Sequence, residues 1–393
     1  EFSPSMGSEI KWKHLAIVLT KNDSPNNGVL TVIPLSSKNK PYYVPIGNFF
    51  LNEAIPFLDK QLNEFIENIK NVTDEEKKAM LDNANKFILV AKMYQKMGVD
   101  SYAMVQNIST ISKLRVLKPI NKYDPILKIR VSDEIMTILD NKLIELYKMY
   151  LCVGGMPEAV KDIINKKMNI LEFNKNIASD IIISYLNDMN KYVVSNAESI
   201  KIEAIYKSIP TQLSNPSNKF QYSKLNKNAR SRDYIEPLNW LISSSMIYKS
   251  NLIKNIQIPL KGFIDENCFK LYLSDVGLLT SLLGVKYNDI ILDNLEIYKG
   301  IITENYVATQ FVSNKNDLYY WSSSNKAEID FLLYNDDGII PVEVKANKNI
   351  KSKSLNMYIE KFKPKYSIRI SNKNFGFENG IKSVPLYATF CIK

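Results

Sequence analysis

Two short segments near the C-terminus carry charged residues at the alternating spacing of a β-strand. The first reads AEIDF and contains Glu328 and Asp330, and the second reads PVEVK and contains Glu343 and Lys345. Because successive side chains of a strand point to opposite faces, the two charged residues of each segment share one face. The apolar residues between them occupy the opposite face.

A turn at 335–338 (NDDG) separates these segments and predicts a hairpin that brings Asp330, Glu343 and Lys345 to one edge. A Mg²⁺-dependent phosphodiesterase uses such residues: two carboxylates hold the metal, and water and the scissile phosphate complete its coordination. Lys345 would stabilise developing negative charge or position the attacking water, and Glu304 on a preceding helix would add a third carboxylate. The alternative is a solvated hairpin whose surface ion pairs contribute about 0–1 kcal/mol each.

The composition describes an ordinary globular chain and excludes several kinds of site. The chain has 393 residues, of which 45% are hydrophobic and 23% charged, which suggests two or three domains. The single histidine, His14, excludes metal sites that need two imidazoles, and three scattered cysteines exclude CxxC zinc ribbons and a disulfide framework. We find no apolar run of about 18 residues and no signal-peptide pattern, which favours a cytoplasmic protein with no membrane contact. The net charge of +10 agrees with a polyanionic partner.

The N-terminal segment has the pattern of a small barrel-like sheet with a helical insertion. It begins without Met and close to its first strand, so we expect upstream residues to be missing. The predicted elements are strands at 15–20, 29–35, 42–46 and 101–105, helices over 52–70 and 74–97, a strand near 126–131, and a closing helix from Ser132.

The middle segment has the pattern of a helical domain followed by a winged helix. Helices are predicted over 170–250, with a helix-turn-helix succession whose loop lies at 209–213 and a wing strand at 246–250. Its basic residues, interleaved with Phe220, Tyr222 and Tyr234, suit contacts with nucleic-acid phosphates, although a basic face on a packing domain is the alternative. These basic residues are Lys224, Lys227, Arg230 and Arg232.

Several stretches in residues 150–393 resemble the C-terminal part of AAA-type ATPases that end in a domain of unknown function. The matching stretches are YLCVGGMPE (150–158), SIPTQL (208–213), FKLYLSDVGLL (269–279), ENYVA (304–308), YWS (320–322), AEIDFL (327–332) and PVEVKA (341–346). The end of that family resembles the PD-(D/E)xK nuclease fold, which implies Mg²⁺ as cofactor. It also implies catalytic roles for Asp330, Glu343 and Lys345, with Glu304 as the helix acid.

The chain departs from that family in lacking its nucleotide-binding loop. The expected string Gly-x-x-x-x-Gly-Lys-Ser/Thr, whose backbone amides cradle phosphates, occurs nowhere in the sequence. We therefore expect no ATP hydrolysis by this chain and no bound ATP.

Residues 1–148 resemble the MazF/PemK family of toxin endoribonucleases, which are SH3-like barrels that act as dimers. The matching stretches are FSPSMGSEI (2–10), AIVL (16–19), TVIPLSS (31–37) and TISKLR (110–115). The resemblance implies a metal-independent RNase site at His14 and Ser36, a homodimer and an antitoxin partner. At His14 the family usually has Arg; an imidazole can transfer a proton near neutral pH but loses the forked phosphate contact of a guanidinium.

Basic residues flank this N-terminal site and are candidates for contacts with RNA phosphates. They are Lys11, Lys13, Lys38 and Lys40. A generic solvated charged face is the alternative.

Together these patterns predict a multidomain α+β protein. An SH3-like β-barrel with a helical insertion (1–148) precedes a helical and winged-helix-like domain (149–285) and an α/β restriction-endonuclease-like domain (286–393). The join near residue 148 is either a natural fusion or an artefact of assembly. We expect phosphodiester cleavage on RNA or DNA; the alternative is a non-catalytic module with a degenerate nuclease fold that binds nucleic acid or protein.

Overall fold

A computed structural model describes most of the chain, and its residues fall into two compact units. The units comprise residues 1–143 and 144–393, and each is treated by itself below. The described residues are 15–20, 29–69, 74–95, 100–125, 129–191, 196–215, 218–295, 297–323, 327–346 and 353–392.

The first unit is built on antiparallel strands with two long helices inserted between the third and fourth. Its elements are β1 (Ala16–Val18), β2 (Val29–Ser36), β3 (Val44–Gly47), α1 (Phe49–Ile69), α2 (Asp74–Gln95), β4 (Ser101–Ala103) and β5 (Ser109–Ser112). The strand order is β1-β2-β4-β3, and β5 also pairs with β2. The middle of β2 is buried, with Val32 and Ile33 at 1% and 0% exposure. The two inserted helices pack against each other through Ala54 of α1 and Val90 of α2.

One strand predicted for this unit is not found among the residues that the structure describes. Of the segment near 126–131, residues 126–128 lie outside the described residues, and residues 129–131 form no strand. The apolar residue Ile129 packs instead against the cluster of Ala54 and Val90. The hydrophobic side chain of Ile129 is therefore partly buried against the two helices.

The helix α3 (Asp133–Val153) carries the chain from the first unit into the second. The elements that follow it are α4 (Pro157–Asn165), α5 (Asn176–Lys191), α6 (Asn196–Leu213), α7 (Ile235–Ser243), β6 (Ile247–Ile253), β7 (Ile264–Leu273), α8 (Val276–Leu282), α9 (Tyr287–Ile291), α10 (Tyr298–Ser313) and β8 (Tyr319–Ser323). The remaining elements are β9 (Ala327–Ile329), β10 (Phe331–Asn335), β11 (Gly338–Lys345), α11 (Lys353–Phe362), β12 (Ser367–Ser371), β13 (Gly376–Glu378) and β14 (Ile381–Pro385).

Two sheets organise the second unit. The first has the order β7-β6-β8-β9, and the second has the order β10-β11-β12-β14-β13. The predicted hairpin at 335–338 is confirmed, since β10 and β11 pair antiparallel from Phe331 opposite Val342 to Asn335 opposite Gly338. Strands β11, β12 and β14 then run parallel to one another. The chain is thus a mixed α/β multidomain protein.

The loop predicted at 209–213 is wrong, because α6 continues through it to Leu213. Pro210, which lacks an amide donor, lies inside this helix. Ile209 and Leu213 are 0% and 3% exposed, so the apolar packing of this turn outweighs the missing hydrogen bond.

The strand predicted as a wing also has a different setting. Residues 247–250 belong to β6, which pairs on one side with β7 and on the other with β8. Ile247 and Ile253 are fully buried. This strand is therefore interior to a sheet and does not project as a free wing.

Candidate functional site

Asp330 and Glu343 lie opposite each other where the β10–β11 ladder ends. Phe331 pairs with Val342, so the preceding residue Asp330 and the following residue Glu343 occupy the next facing positions. One carboxylate oxygen of Asp330, Oδ2, accepts a hydrogen bond from the Val344 amide at 2.7 Å. Asp330, which immediately precedes β10, therefore lies beside the segment of β11 that carries Glu343.

Glu343 is buried and only half paired. Its Oε1 lies 2.5 Å from Nζ of Lys345, whose side chain is 29% exposed. Its Oε2 is buried and has no hydrogen-bond partner among the described residues. Because buried polar atoms are nearly always hydrogen-bonded, this oxygen is the part of Glu343 that is open to a further donor or to a cation.

Glu304 sits in a buried network that the sequence did not reveal. Its Oε1 accepts from Nζ of Lys270 at 2.9 Å and from the Tyr272 hydroxyl at 2.6 Å, and its Oε2 accepts from the Asn218 amide at 3.1 Å. Lys270 is fully buried and also lies 2.6 Å from Oε1 of Glu328. The alternation of Lys270 and Tyr272 along β7 was the available sequence signal, although nothing local indicates their partner on α10.

Three of the four carboxyl groups at this site have an ammonium partner. Lys270 lies against Glu304 and Glu328, and Lys345 lies against Glu343, whereas Asp330 forms no ion pair among the described residues. Burial, followed by repulsion from Glu343 and Glu304, raises the pKa of Asp330 well above its ordinary value.

The pKa of Lys270 shows which effect prevails there. Burial lowers it, but the attraction of Glu304, Glu328 and Asp330 outweighs that effect and raises the pKa above its ordinary value. Lys270 is therefore a permanent cation at the centre of the network.

The geometry limits which residues could bind a metal ion. Within the part of the chain that the structure describes, no group of three or more His, Cys, Asp or Glu side chains is arranged to hold a metal ion. Both oxygens of Glu304 already accept hydrogen bonds. Asp330 and the free oxygen of Glu343 remain as the available oxygen ligands.

A cavity of about 270 Å³ adjoins these residues. It is lined by Glu304 and Val344 together with polar residues that follow α6, including Asn215 and Asn218. Glu304 therefore contributes both to the buried network and to the wall of an open space beside β11.

The four basic residues predicted to bind nucleic acid lie on the segment between α6 and α7, and all four are exposed. They are Lys224, Lys227, Arg230 and Arg232. The aromatic residues near them pack inward: Phe220 stacks on Phe269 with ring centroids 5.5 Å apart, and Tyr234 is 9% exposed. The aromatic rings therefore anchor the segment, and its charged side chains lie at the surface, with Arg232 3.7 Å from Asp233.

The predicted N-terminal site is only partly described. Lys11, Lys13 and His14 lie outside the described residues. Ser36 is the last residue of β2, and its hydroxyl accepts a hydrogen bond from the Lys38 amide at 3.0 Å. Lys38 itself is exposed, and Nζ of Lys40 lies 5.6 Å from the ring centroid of Tyr43.

Two family models match the second unit. Residues 299–389, which include Asp330, Glu343 and Lys345, match a domain of unknown function, DUF4143, which is found at the end of AAA-ATPase-like proteins. Residues 144–289, which include Lys270, match another domain of unknown function, DUF8612. No curated protein and no solved structure matches the chain.

Neither family match falls within residues 1–143, so the MazF/PemK resemblance stays a prediction. Among the helices that the structure describes, none is both long and apolar enough to cross a membrane.

Proposed function

We propose that residues 144–393 bind nucleic acid and hydrolyse its phosphodiester bonds with Mg²⁺. The observation that carries this proposal is the facing pair of Asp330 and Glu343 at the end of the β10–β11 ladder, with a buried, unpaired oxygen on Glu343 and the Lys345 ammonium beside it. The resemblance to PD-(D/E)xK nucleases assigns catalytic roles to the same three residues.

The donor set suits Mg²⁺. This ion is commonly held by one or two carboxylates, with water and substrate phosphate oxygens as its other ligands, and Asp330 and Glu343 supply such a pair. Asp330 forms no ion pair among the described residues, and a dication beside it would favour the ionised form of its carboxyl group. When bound, Mg²⁺ would supply Lewis-acid polarisation of the phosphate.

The protein's own residues would orient the reactants. Lys345 is partly exposed and could donate to a phosphate oxygen as negative charge develops there. In the hydrolysis, the oxygen of water bonds to phosphorus and the bond from phosphorus to one ester oxygen breaks. The proton from water passes to solvent, and the departing oxygen takes a proton from solvent.

The exposed basic segment between α6 and α7 is the proposed contact for the nucleic-acid backbone. Its first residues line the cavity beside Glu304, and its later residues carry Lys224, Lys227, Arg230 and Arg232. A nucleic-acid strand bound along this segment would run from the basic residues toward Glu304 and the candidate site.

Cleavage assays on single-stranded RNA and DNA test the proposal. On DNA, and on RNA in a Ser36→Ala background that removes the metal-independent activity proposed for the first unit, we expect cleavage in Mg²⁺ that disappears in EDTA. This cleavage should fall at least about a hundredfold in Asp330→Asn and Glu343→Gln, the scale of loss for a residue central to transition-state stabilisation. Asp336→Asn, in the exposed turn of the same hairpin, is the matched control and should retain full activity. An inactive wild-type chain, or equal activity in all three variants, would reject the proposal.

A non-catalytic binding module is the second candidate. It is favoured by the complete pairing of Glu304 with Lys270, Tyr272 and Asn218, which leaves that helix acid without a free oxygen. Binding of nucleic acid or of a protein partner without cleavage in any divalent metal would support this function over hydrolysis.

For the first unit, we propose the metal-independent RNase activity implied by its resemblance to MazF/PemK toxins, with the homodimer and antitoxin partner that the family uses. The support among the described residues is Ser36, whose hydroxyl stands at the end of the long strand β2. RNA cleavage in EDTA should be lost in Ser36→Ala and kept in Ser37→Ala, which changes the exposed neighbouring hydroxyl. Loss in neither variant would contradict a role for Ser36.

A further inference from the structure

Arg369 stands in the same row of the sheet as the two proposed metal ligands. Strands β11 and β12 pair in parallel with Glu343 beside Arg369, and β12 and β14 pair with Arg369 beside Ser383. Asp330 faces Glu343 on the other side. Since paired residues on neighbouring strands project from the same face, the row Asp330, Glu343, Arg369 and Ser383 crosses one face of the sheet.

Three buried polar atoms without a hydrogen-bond partner in the described part of the chain belong to residues of this face. Buried atoms without a hydrogen-bond partner among the described residues include Oε2 of Glu343, Nε of Arg369 and Oγ of Ser367. Arg369 and Ser367 are two apart on β12 and therefore share the face. Glu343 and Arg369 are direct neighbours in one row, and Ser367 lies one row away on the same face. The unpaired atoms of Glu343 and Arg369 are therefore available to a ligand that reaches this row.

The charges show what kind of ligand fits. Arg369 forms no ion pair within the described part of the chain, although Glu343 is its direct neighbour across the β11–β12 ladder. Glu343 and Arg369 are adjacent and carry opposite charges, but they do not pair with each other. Glu343 can therefore bind a cation while Arg369 binds an anion. A guanidinium presents a planar set of donors that matches two oxygens of a phosphate.

The position of Arg369 leaves it within reach of a substrate. On the same face, Ile339 and Ile381 pack with Leu355 and Tyr358 of α11 in one hydrophobic cluster. Ile381 pairs with Ser367 of β12, and Arg369 follows Ser367 by two residues. The row that contains Glu343 and Arg369 is therefore one row closer to the C-terminal ends of the parallel strands than the row that contains Ile381. Arg369 is accordingly partly exposed, at the margin of the part that α11 covers.

We infer that Arg369 binds the non-bridging oxygens of the scissile phosphate. By this contact Arg369 makes the site selective for a charged phosphodiester. This inference rests on the proposed function, because it places the phosphate next to the metal ligands Asp330 and Glu343. The family resemblance assigned no role to Arg369, and the sequence separates it from Glu343 by a helix and an undescribed segment.

Binding of a dinucleotide that contains one linkage tests the role of Arg369 without requiring catalysis. The full chain would be titrated calorimetrically, in Ca²⁺, with thymidylyl-thymidine and with its uncharged methylphosphonate analogue. We expect Arg369→Gln to weaken binding of the phosphodiester about 10- to 100-fold, as for loss of a charge-assisted hydrogen bond, and Arg369→Lys to retain part of the affinity. The methylphosphonate should bind wild type and Arg369→Gln equally.

A matched control removes one positive charge elsewhere. Lys286 is exposed and precedes α9, so Lys286→Gln should bind the dinucleotide as wild type does. Thermal melting of each variant separates loss of binding from loss of folding. If Arg369 only stabilised the sheet, both dinucleotides would lose affinity by the same factor, and that result would overturn the inference.

The remaining outcomes separate this inference from the proposed function. Unchanged phosphodiester affinity in Arg369→Gln, or no binding by the wild type, rejects the role of Arg369. Binding that depends on Arg369 without any Mg²⁺-dependent cleavage keeps this role and rejects hydrolysis. Cleavage that depends on Asp330 but not on Arg369 does the reverse.

Discussion

Lys270 on β7 and Glu304 on α10 form a buried ion pair with 2.9 Å between Nζ and Oε1. The Lys270 side chain is completely buried, and its ammonium also contacts Glu328. A buried charge that loses its partner is strongly destabilising, because the desolvation of the remaining charge is no longer offset. The pair therefore ties the strand β7 to the helix that precedes the candidate site.

Removing this cation should destabilise the protein. We expect Lys270→Met to lower the free energy of unfolding by about 3–5 kcal/mol, because Glu304 and Glu328 would remain partly buried without their counter-ion. Urea denaturation followed by circular dichroism measures this change. Lys254→Met is the matched control, since Lys254 pairs with Asp265 at 2.5 Å but its side chain is 65% exposed. Equal urea midpoints for the two variants would contradict the importance of the buried pair.

A close backbone approach at Gly277 should make it intolerant of a side chain. A Cβ atom there would lie 2.6 Å from the carbonyl oxygen of Val153, at the point where α8 packs against the end of α3. Because the obstacle is backbone, we expect Gly277→Ala to cost about 1–3 kcal/mol of stability. Gly262→Ala is the control, since no atom lies within 4 Å of its added Cβ. Thermal melts of the two variants should differ clearly, and equal melting temperatures would refute the steric argument.

The raised pKa of Asp330 predicts that Asp330→Asn increases the free energy of unfolding by an amount that depends on pH. Burial and the neighbouring acids Glu343 and Glu304 raise this pKa, so the folded protein holds a proton that the unfolded chain has released. Stability contributed by this group therefore falls as pH rises above the ordinary value of 3.8 toward the folded value. Asp330→Asn should be more stable than wild type at pH 7 in EDTA, and the difference should shrink as pH falls toward 4.

Urea denaturation at a series of pH values measures that difference. Asp336→Asn, which neutralises an exposed acid in the adjacent turn, should show no such trend. A gain for Asp330→Asn that is constant with pH would indicate a packing effect and would contradict the electrostatic explanation.

The exposed basic segment should contribute salt-dependent affinity for nucleic acid. Removal of one side chain that binds a phosphate should reduce the slope of log affinity against log salt by about 0.9 for duplex DNA or about 0.7 for a single strand. We expect the combined change of Lys224, Lys227, Arg230 and Arg232 to Gln to reduce the magnitude of this slope by at least twice the value for one phosphate contact. Fluorescence anisotropy across a salt series provides the measurement.

The control for this prediction changes exposed lysines outside the segment. Lys161→Gln with Lys166→Gln, both at α4, should leave the slope close to the wild-type value. An equal reduction in the control would show that net charge, and not this segment, attracts the nucleic acid.

The hairpin at the candidate site could be predicted because its information is local. Alternating residues and an NDDG turn determine which side chains of β10 and β11 share a face, and Gly338 adopts the positive φ of 99° that the turn requires. Asp330, Glu343 and Lys345 were therefore recognised before the tertiary structure was known. The loop predicted at 209–213 is wrong, because Ile209 and Leu213 are buried and α6 continues through these residues.

The sequence by itself determined the facing strands, the turn between them and the charged residues that they carry. Only the tertiary structure decided that Lys270 would pair with Glu304 and that Arg369 would stand beside Glu343. The physical reason is the range of the interactions: turn chemistry and strand alternation act between neighbours in the chain. The register of parallel strands and the partner of a buried charge depend instead on how distant elements pack together.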